Sequence, residues 1–172
     1  PAMDQGIYDV DQKKLLVQSF DFVTLEQFFV SNENYTLIMS VRDEATNRLP
    51  SAFVAQMKAK GSKIDELEFR GSYVAVISKG QLIEEIVRND GEITITSDTS
   101  PKVGEVLKNK SFTVASAGWS YGNRSSIVVD GQEVSRNERG INIAVFNENG
   151  DYMYSISFDT YQSDIRVYKI GQ

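Results

Sequence analysis

Apolar and polar positions alternate loosely over residues 7–21. Tyr8, Val10, Leu15, Val17 and Phe20 are apolar and Asp11-Gln12-Lys13-Lys14 is a polar turn, so a β-hairpin is predicted there. Thr24 is a helix cap with Gln27 three residues on, followed by the apolar run Leu25 to Val30, which predicts a short helix closed by Asn32 and Asn34. Tyr35 to Val41 is an apolar run of strand length, and Arg42 to Leu49 is a polar loop. A second helix starts at Pro50-Ser51, carries Phe53, Val54 and Met57 on its apolar face and stops at Gly61. Leu67 to Ile77 contains a strand with Ser78-Lys79-Gly80 as its turn; residues 82–87 read equally as strand or helix because Glu84-Glu85 interrupts the pattern. Ile93 and Ile95 alternate with threonines as in a strand, and residues 98–110, with Pro101 and Gly104, read as a loop.

The rest reads as β: Phe112 to Ala115, Ile127 to Val129, Ile141 to Phe146, Tyr152 to Phe158, and a short strand around Ile165, Val167 and Tyr168. Asp130-Gly131 and Asn149-Gly150 are hairpin-turn dipeptides. One pattern recurs. Gly6-Ile7 through Ser19-Phe20-Asp21 echoes Gly140-Ile141 through Ser157-Phe158-Asp159, the two aspartates about 138 positions apart, roughly the span of one domain.

Length and composition narrow the function. With 172 residues, 41% apolar and 24% charged, the chain is of globular type and holds one domain or two small ones. A net charge of -6 argues against nucleic acid, which needs clustered Lys and Arg. There is no cysteine and no histidine, which removes disulfides, thiolate sites, the usual zinc ligands and the usual general base. Apolar runs such as Leu25 to Val30 and Tyr73 to Ile77 fall far short of the ~18 residues of a membrane span, so no membrane insertion is expected. Pro1-Ala2-Met3 has the look of a tag scar and the start lacks a signal-peptide pattern.

The segment from Arg139-Gly140-Ile141-Asn142 through Ser157-Phe158-Asp159-Thr160-Tyr161 resembles the first half of the interleukin-like EMT inducer domain. Phe112 to Gly118, followed by Ile127 to Gly131, resembles its opening strands. Thr36 to Ala45 resembles its buried strand and acidic loop, Pro50 to Gly61 its helix, and Glu66 to Gly80 its Arg-Asp-Ser/Thr-Trp strand and Lys-Gly turn. The resemblance covers about two thirds of the chain, on the motif-by-motif basis on which local signatures are weighed. It departs from the family in two ways. The family's second half precedes its first half, as in a circular permutant or a segment cut across tandem copies. The family's cysteines are missing, and its Asp and Trp are replaced by Gly71 and Tyr73.

The family includes pancreatic-derived-factor cytokines and the stem domain of a protein O-mannose N-acetylglucosaminyltransferase, and related domains occur in phage tail fibres. The resemblance therefore implies an α+β fold, a mostly antiparallel β-sandwich with two short flanking helices. It implies a lead-in at 1–5, a second-half module at 6–97, a connecting loop at 98–110, and a first-half β module at 111–172 that completes one compact domain with 24–80.

The resemblance also implies a sugar-binding Asp, matched by Asp159 and its echo Asp21, with a basic partner matched by Arg42. Carboxylate and guanidinium both hydrogen-bond vicinal hydroxyls, and an aromatic such as Tyr73 or Tyr161 stacks on a sugar face. Each has a structural alternative: an Asp before a turn accepts backbone N–H bonds, most plainly Asp21 ahead of Thr24. Arg70, beside Phe69, suits a buried ion pair as well as ligand contact. Trp119 in Gly118-Trp119-Ser120-Tyr121-Gly122 is either an exposed hot spot or a lid over a core edge.

Asp9-Val10-Asp11 and Asn147 to Asp151 lack the ligand spacing of a calcium loop, so no metal and no cofactor is expected. Asp43-Glu44 and Glu84-Glu85 are adjacent pairs that point to opposite faces of a strand, so no catalytic residue is assigned. Sequons at Asn34, Asn109 and Asn123 matter only in a eukaryotic secretory route, which the missing cysteines disfavour.

The reading is a non-catalytic binding and assembly module of a larger surface or virion protein of bacterial or viral origin, tail-fibre or adhesin-like. Its partner is a glycan or a protein, with homo-oligomers or tandem copies as a further form of assembly. A purely structural connector and an accessory domain of a bacterial glycan-processing enzyme are the alternatives.

Overall fold

A computed structural model of the chain describes residues 24–161 in full, together with the backbone of three short strands outside that range. Two of these, β1 (Tyr8–Asp9) and β2 (Lys14–Leu15), pair as the opening hairpin. The first helix, α1 (Leu25–Ser31), forms because Thr24 caps it: the threonine hydroxyl accepts the Gln27 N–H at 3.2 Å. It ends where the Asn32 side chain returns to the Phe28 carbonyl at 2.8 Å. Helix α2 (Ser51–Lys58) follows Pro50, and its inward positions Phe53 and Met57 are one turn apart.

The core of the molecule is the strand β3 (Thr36–Asp43). It pairs antiparallel over Thr36 to Arg42 with β10 (Gly140–Phe146) and, over Thr36 to Ser40, with β4 (Ser72–Ser78). β4 continues into β5 (Gln81–Arg88), and β10 into β11 (Tyr152–Asp159), followed by β12 (Asp164–Tyr168). The second layer is formed by β6 (Ile93–Thr96), β7 (Phe112–Gly118), β8 (Arg124–Val129) and the short β9 (Gln132–Glu133), all antiparallel neighbours. The layers join where β7 runs parallel to the end of β3, at Arg42 opposite Ala117 and Asp43 opposite Gly118.

Strand β3 is buried on both faces because it separates two cores. Leu37, Met39 and Val41 face α1 and α2, with Phe28, Phe29, Phe53, Tyr73, Ile141, Ile143 and Phe158. Ile38 faces the second layer, with Val74, Val76, Ala144, Phe146, Val114, Ile127 and Leu107. The period-two alternation of strands thus feeds both cores from one run, and each fully buried Leu, Ile or Phe contributes about 1.5–3 kcal/mol.

The corner where the layers meet is stitched by serines. The β3–β4 register ends at Ser40 opposite Val74, so the next rung would join Val41 to Tyr73. The Ser116 hydroxyl of β7 stands in that rung: it donates to the Val41 carbonyl at 2.5 Å and accepts the Tyr73 N–H at 2.9 Å. Ser40 donates to the Ala115 carbonyl at 2.5 Å, and Ser72 accepts the Gly118 N–H at 3.0 Å while donating to the Gly91 carbonyl. These serines are fully buried. They complete the hydrogen bonding that two diverging strands leave open.

The α+β, mostly antiparallel layered fold is the expected one, with a correction to its helices. Residues 98–110 are not a loop: they contain a third helix, α3 (Pro101–Val106). Pro101 fits its first turn, where no N–H partner is needed, and Val103 and Leu107 anchor it in the second core. The ambiguous residues 82–87 are strand, their Ile86 and Val87 leaning on opposite cores. No helix among the described residues is long and apolar enough to cross a membrane.

Candidate functional site

The ends of β3, β7 and β11 and the starts of β4, β8 and β10 converge at one end of the sandwich. Every arginine of residues 24–161 lies there: Arg42, Arg48, Arg70, Arg88, Arg124, Arg136 and Arg139. The lysines of residues 24–161 lie elsewhere: Lys58, Lys60 and Lys63 on α2 and its following turn, Lys79 at the β4–β5 turn, and Lys102, Lys108 and Lys110 on and after α3. Arginine offers a planar donor fork and a stacking face that lysine lacks.

At this end Arg42 reaches across to two loops, donating to the backbone carbonyls of Asn123 at 3.1 Å and Asn137 at 2.5 Å. Asn137 and Asn123 hold left-handed backbone conformations, and the Asn137 side chain accepts the Ser125 N–H at 2.7 Å. Beside it, Asp159 at the end of β11 takes a bidentate pair from Arg139, with Nε at 3.1 Å from both carboxylate oxygens and one terminal nitrogen at 2.8 Å. Gly140 permits this pairing. Its φ is +98°, and a Cβ there would collide with the Phe158 carbonyl. Asp159 also accepts the Tyr161 N–H at 3.1 Å, and the Arg139 guanidinium lies 4.7 Å from the centre of the Tyr161 ring. Hydrogen bonding to Asp159 raises the Arg139 pKa above its ordinary value, so the guanidinium stays charged. Arg42, Glu138, Arg139, Ser157 and Asp159 line a cavity of ≈ 210 Å³.

On the same end the loop before β4 carries Phe69 and Arg70, and a 3-10 turn, Trp119–Tyr121, follows β7. Phe69 is 58% exposed and Trp119 50%. Arg70 lies between them, 5.0 Å from the Phe69 ring centre and 5.1 Å from that of Trp119. The buried Glu44 holds this loop: its carboxylate accepts the Arg70 N–H at 3.0 Å, the Thr46 hydroxyl at 2.9 Å and the Asn47 N–H at 2.6 Å. Asn89, directly after β5, braces it by accepting the Glu68 N–H and donating to the Glu66 carbonyl.

Of the expected site, Asp159 and Arg42 line one cavity, and Tyr161 lies beside it against Arg139. Trp119 is exposed rather than tucked over a core edge. One reading is corrected, and of the two alternatives for Arg70 the ion pair drops out. Tyr73 is 0% exposed, points into the helix-side core and donates its hydroxyl to Glu85 at 2.5 Å, so it stacks on no ligand. Arg70 is exposed against two rings and makes no buried ion pair. Asp21 lies outside the described residues. Arg139, Glu138, Ser157 and Phe69 were not singled out from the sequence. Arg139 directly precedes the repeated Gly-Ile pair, but only the β10–β11 register brings it to Asp159.

Residues 4–81 match the interleukin-like EMT inducer family. Neither the curated proteins nor the solved structures include a match to the chain. The interleukin-like EMT inducer stretch runs in chain order through the opening hairpin, α1, β3, α2 and β4. It includes Arg42 and Arg70 and stops short of Trp119, Arg139, Asp159 and Tyr161. The cavity is therefore assembled from the matching stretch and from strands beyond it.

Proposed function

We propose that the protein is a non-catalytic binding and assembly module of a larger surface or virion protein, and that its arginine-rich end recognises a glycan. The observation that carries this reading is the grouping of Asp159, Arg139 and Arg42 around one polar cavity of ≈ 210 Å³, with the Tyr161 ring against Arg139 beside it. It combines an acceptor, planar donors and a ring, the set that sugar hydroxyls and sugar faces require. Its size suits a single sugar unit rather than a drug-sized ligand. The permuted or tandem order of the family's halves belongs to the same proposal, as does the division of the chain at 98–110.

The test is a glycan array on protein whose mass is measured by light scattering in the same buffer, with Asp159→Asn as the comparison. Asn keeps the side-chain shape, and circular dichroism checks the fold. Binding lost in Asp159→Asn supports the reading; a blank array refutes it. The repeated Ser-Phe-Asp hairpin favours a second reading, a connector that pairs with neighbouring copies through exposed strand edges. A blank array with a dimer or trimer mass selects that one.

A further inference from the structure

The glycan reading leaves unexplained why Arg70 is held between two exposed aromatic rings. Among the arginines at this end, Arg42, Arg88, Arg124 and Arg139 each donate to, or pair with, an acceptor of the protein. The Arg70 side chain has no hydrogen-bond acceptor and no carboxylate among the described residues. It is nonetheless not a loose surface side chain. Its backbone sits at φ +63°, a conformation that costs a non-glycine residue energy, and Glu44 fixes its N–H. Gly118 lies so close under the loop that a Cβ there would enter the Arg70 carbonyl. The loop is thus clamped in a strained form that presents Arg70 alongside Trp119.

We infer that Phe69, Arg70 and Trp119 form a binding site for the carboxylate of a uronic acid unit in an acidic polysaccharide. This rests on the glycan reading and names its ligand class. A guanidinium fork matches a carboxylate in bidentate geometry, and the adjacent rings hold it in place and shed water from its surroundings. The remaining faces of Phe69 and Trp119 offer apolar contact to the C–H face of a pyranose. A sugar carboxylate is fixed to a rigid ring, so ring and charge are ordered together. The carboxylate of an acidic peptide loses side-chain and backbone freedom on binding, which favours the sugar as occupant.

Trp119 is the chain's single tryptophan, so its fluorescence reports this site. The experiment titrates the protein with oligogalacturonate and with oligomannuronate, then with their methyl esters and with polyglutamate. Arg70→Lys and Lys102→Ala are titrated alongside. The expected result is a fluorescence change with at least one acidic oligosaccharide. Binding should weaken about tenfold or more on esterification and about tenfold in Arg70→Lys, which keeps the charge but loses the fork. Lys102→Ala, an exposed residue on α3 away from this end, should leave the Trp119 signal intact. Equal binding of ester and acid, no effect of Arg70→Lys, or equal binding of polyglutamate overturns the inference. So does a flat titration with both acids. In that case an array response lost in Asp159→Asn leaves the glycan reading standing, whereas a blank array removes both.

Discussion

Replacing Ser116 by alanine tests the corner of the fold, and through it the whole functional end. The hydroxyl replaces a missing rung between β3 and β4, bonded to Val41 O and Tyr73 N in a site closed to solvent. Alanine fits the space but leaves a buried carbonyl and a buried N–H without partners. Each such group costs about 1–3 kcal/mol, and the strands cannot close on each other while β7 lies between them, so a loss of about 3 kcal/mol is expected. For a chain of this length that corresponds to a drop in melting temperature of roughly 6–12 °C. Urea unfolding followed by far-ultraviolet circular dichroism measures it, with the denaturant slope unchanged if only the native corner is affected. Ser126→Ala is the comparison. It loses one bond, to Glu133 at 2.6 Å, and should cost about 1 kcal/mol. A cost below about 1 kcal/mol for Ser116→Ala would show that the corner closes without the hydroxyl and would refute the argument.

Tyr73 gives an alkaline signature. Burial first, then its hydrogen bond and charge contact with Glu85, hold its pKa well above the ordinary 10.0. The folded state therefore keeps a proton that the unfolded state loses. This stability is present below about pH 10 and lost as the pH rises from there towards the folded value. Spectroscopic titration should show this tyrosine ionising only with unfolding, and Tyr73→Phe should flatten the alkaline loss; an unchanged profile refutes the assignment. Gly118→Ala should cost about 2 kcal/mol, because the new Cβ meets the Arg70 carbonyl, and should shift the Trp119 emission. A variant with native stability and emission would mean the 67–71 loop is not clamped. Asp159→Asn should cost about 1 kcal/mol, since its pair with Arg139 is bidentate but partly exposed; thermal melts at neutral pH check this.

Much of the local structure was legible in the sequence because its causes are local. Thr24 with Gln27, the spacing of Phe53 and Met57, and Asp130-Gly131 between the paired Val129 and Gln132 each specify an element from neighbouring residues alone. Residues 98–110 misled because Pro101 and Gly104 read as breakers. What makes them a helix is the burial of Val103 and Leu107 against strands distant in sequence. Composition also excluded histidine and cysteine chemistry outright, and the Phe-Asp motif and Arg42 were visible as candidate site residues.

The rest was decided in three dimensions. Tyr73 and Arg70 are three residues apart on either side of a strand start, and nothing in the sequence states that one is sealed under α2 while the other stands between two rings. That is set by which face of β4 the helices cover and by where β7 wedges β3 and β4 apart. Arg139 meets Asp159 only through the β10–β11 register, and Trp119 meets Arg70 only because β7 ends beside β3. Sequence determines which residues prefer a face, a turn or a cap, since those are short-range energies. Which faces meet is a property of strand register and layer order, and the arginine-rich end exists only once both are in place.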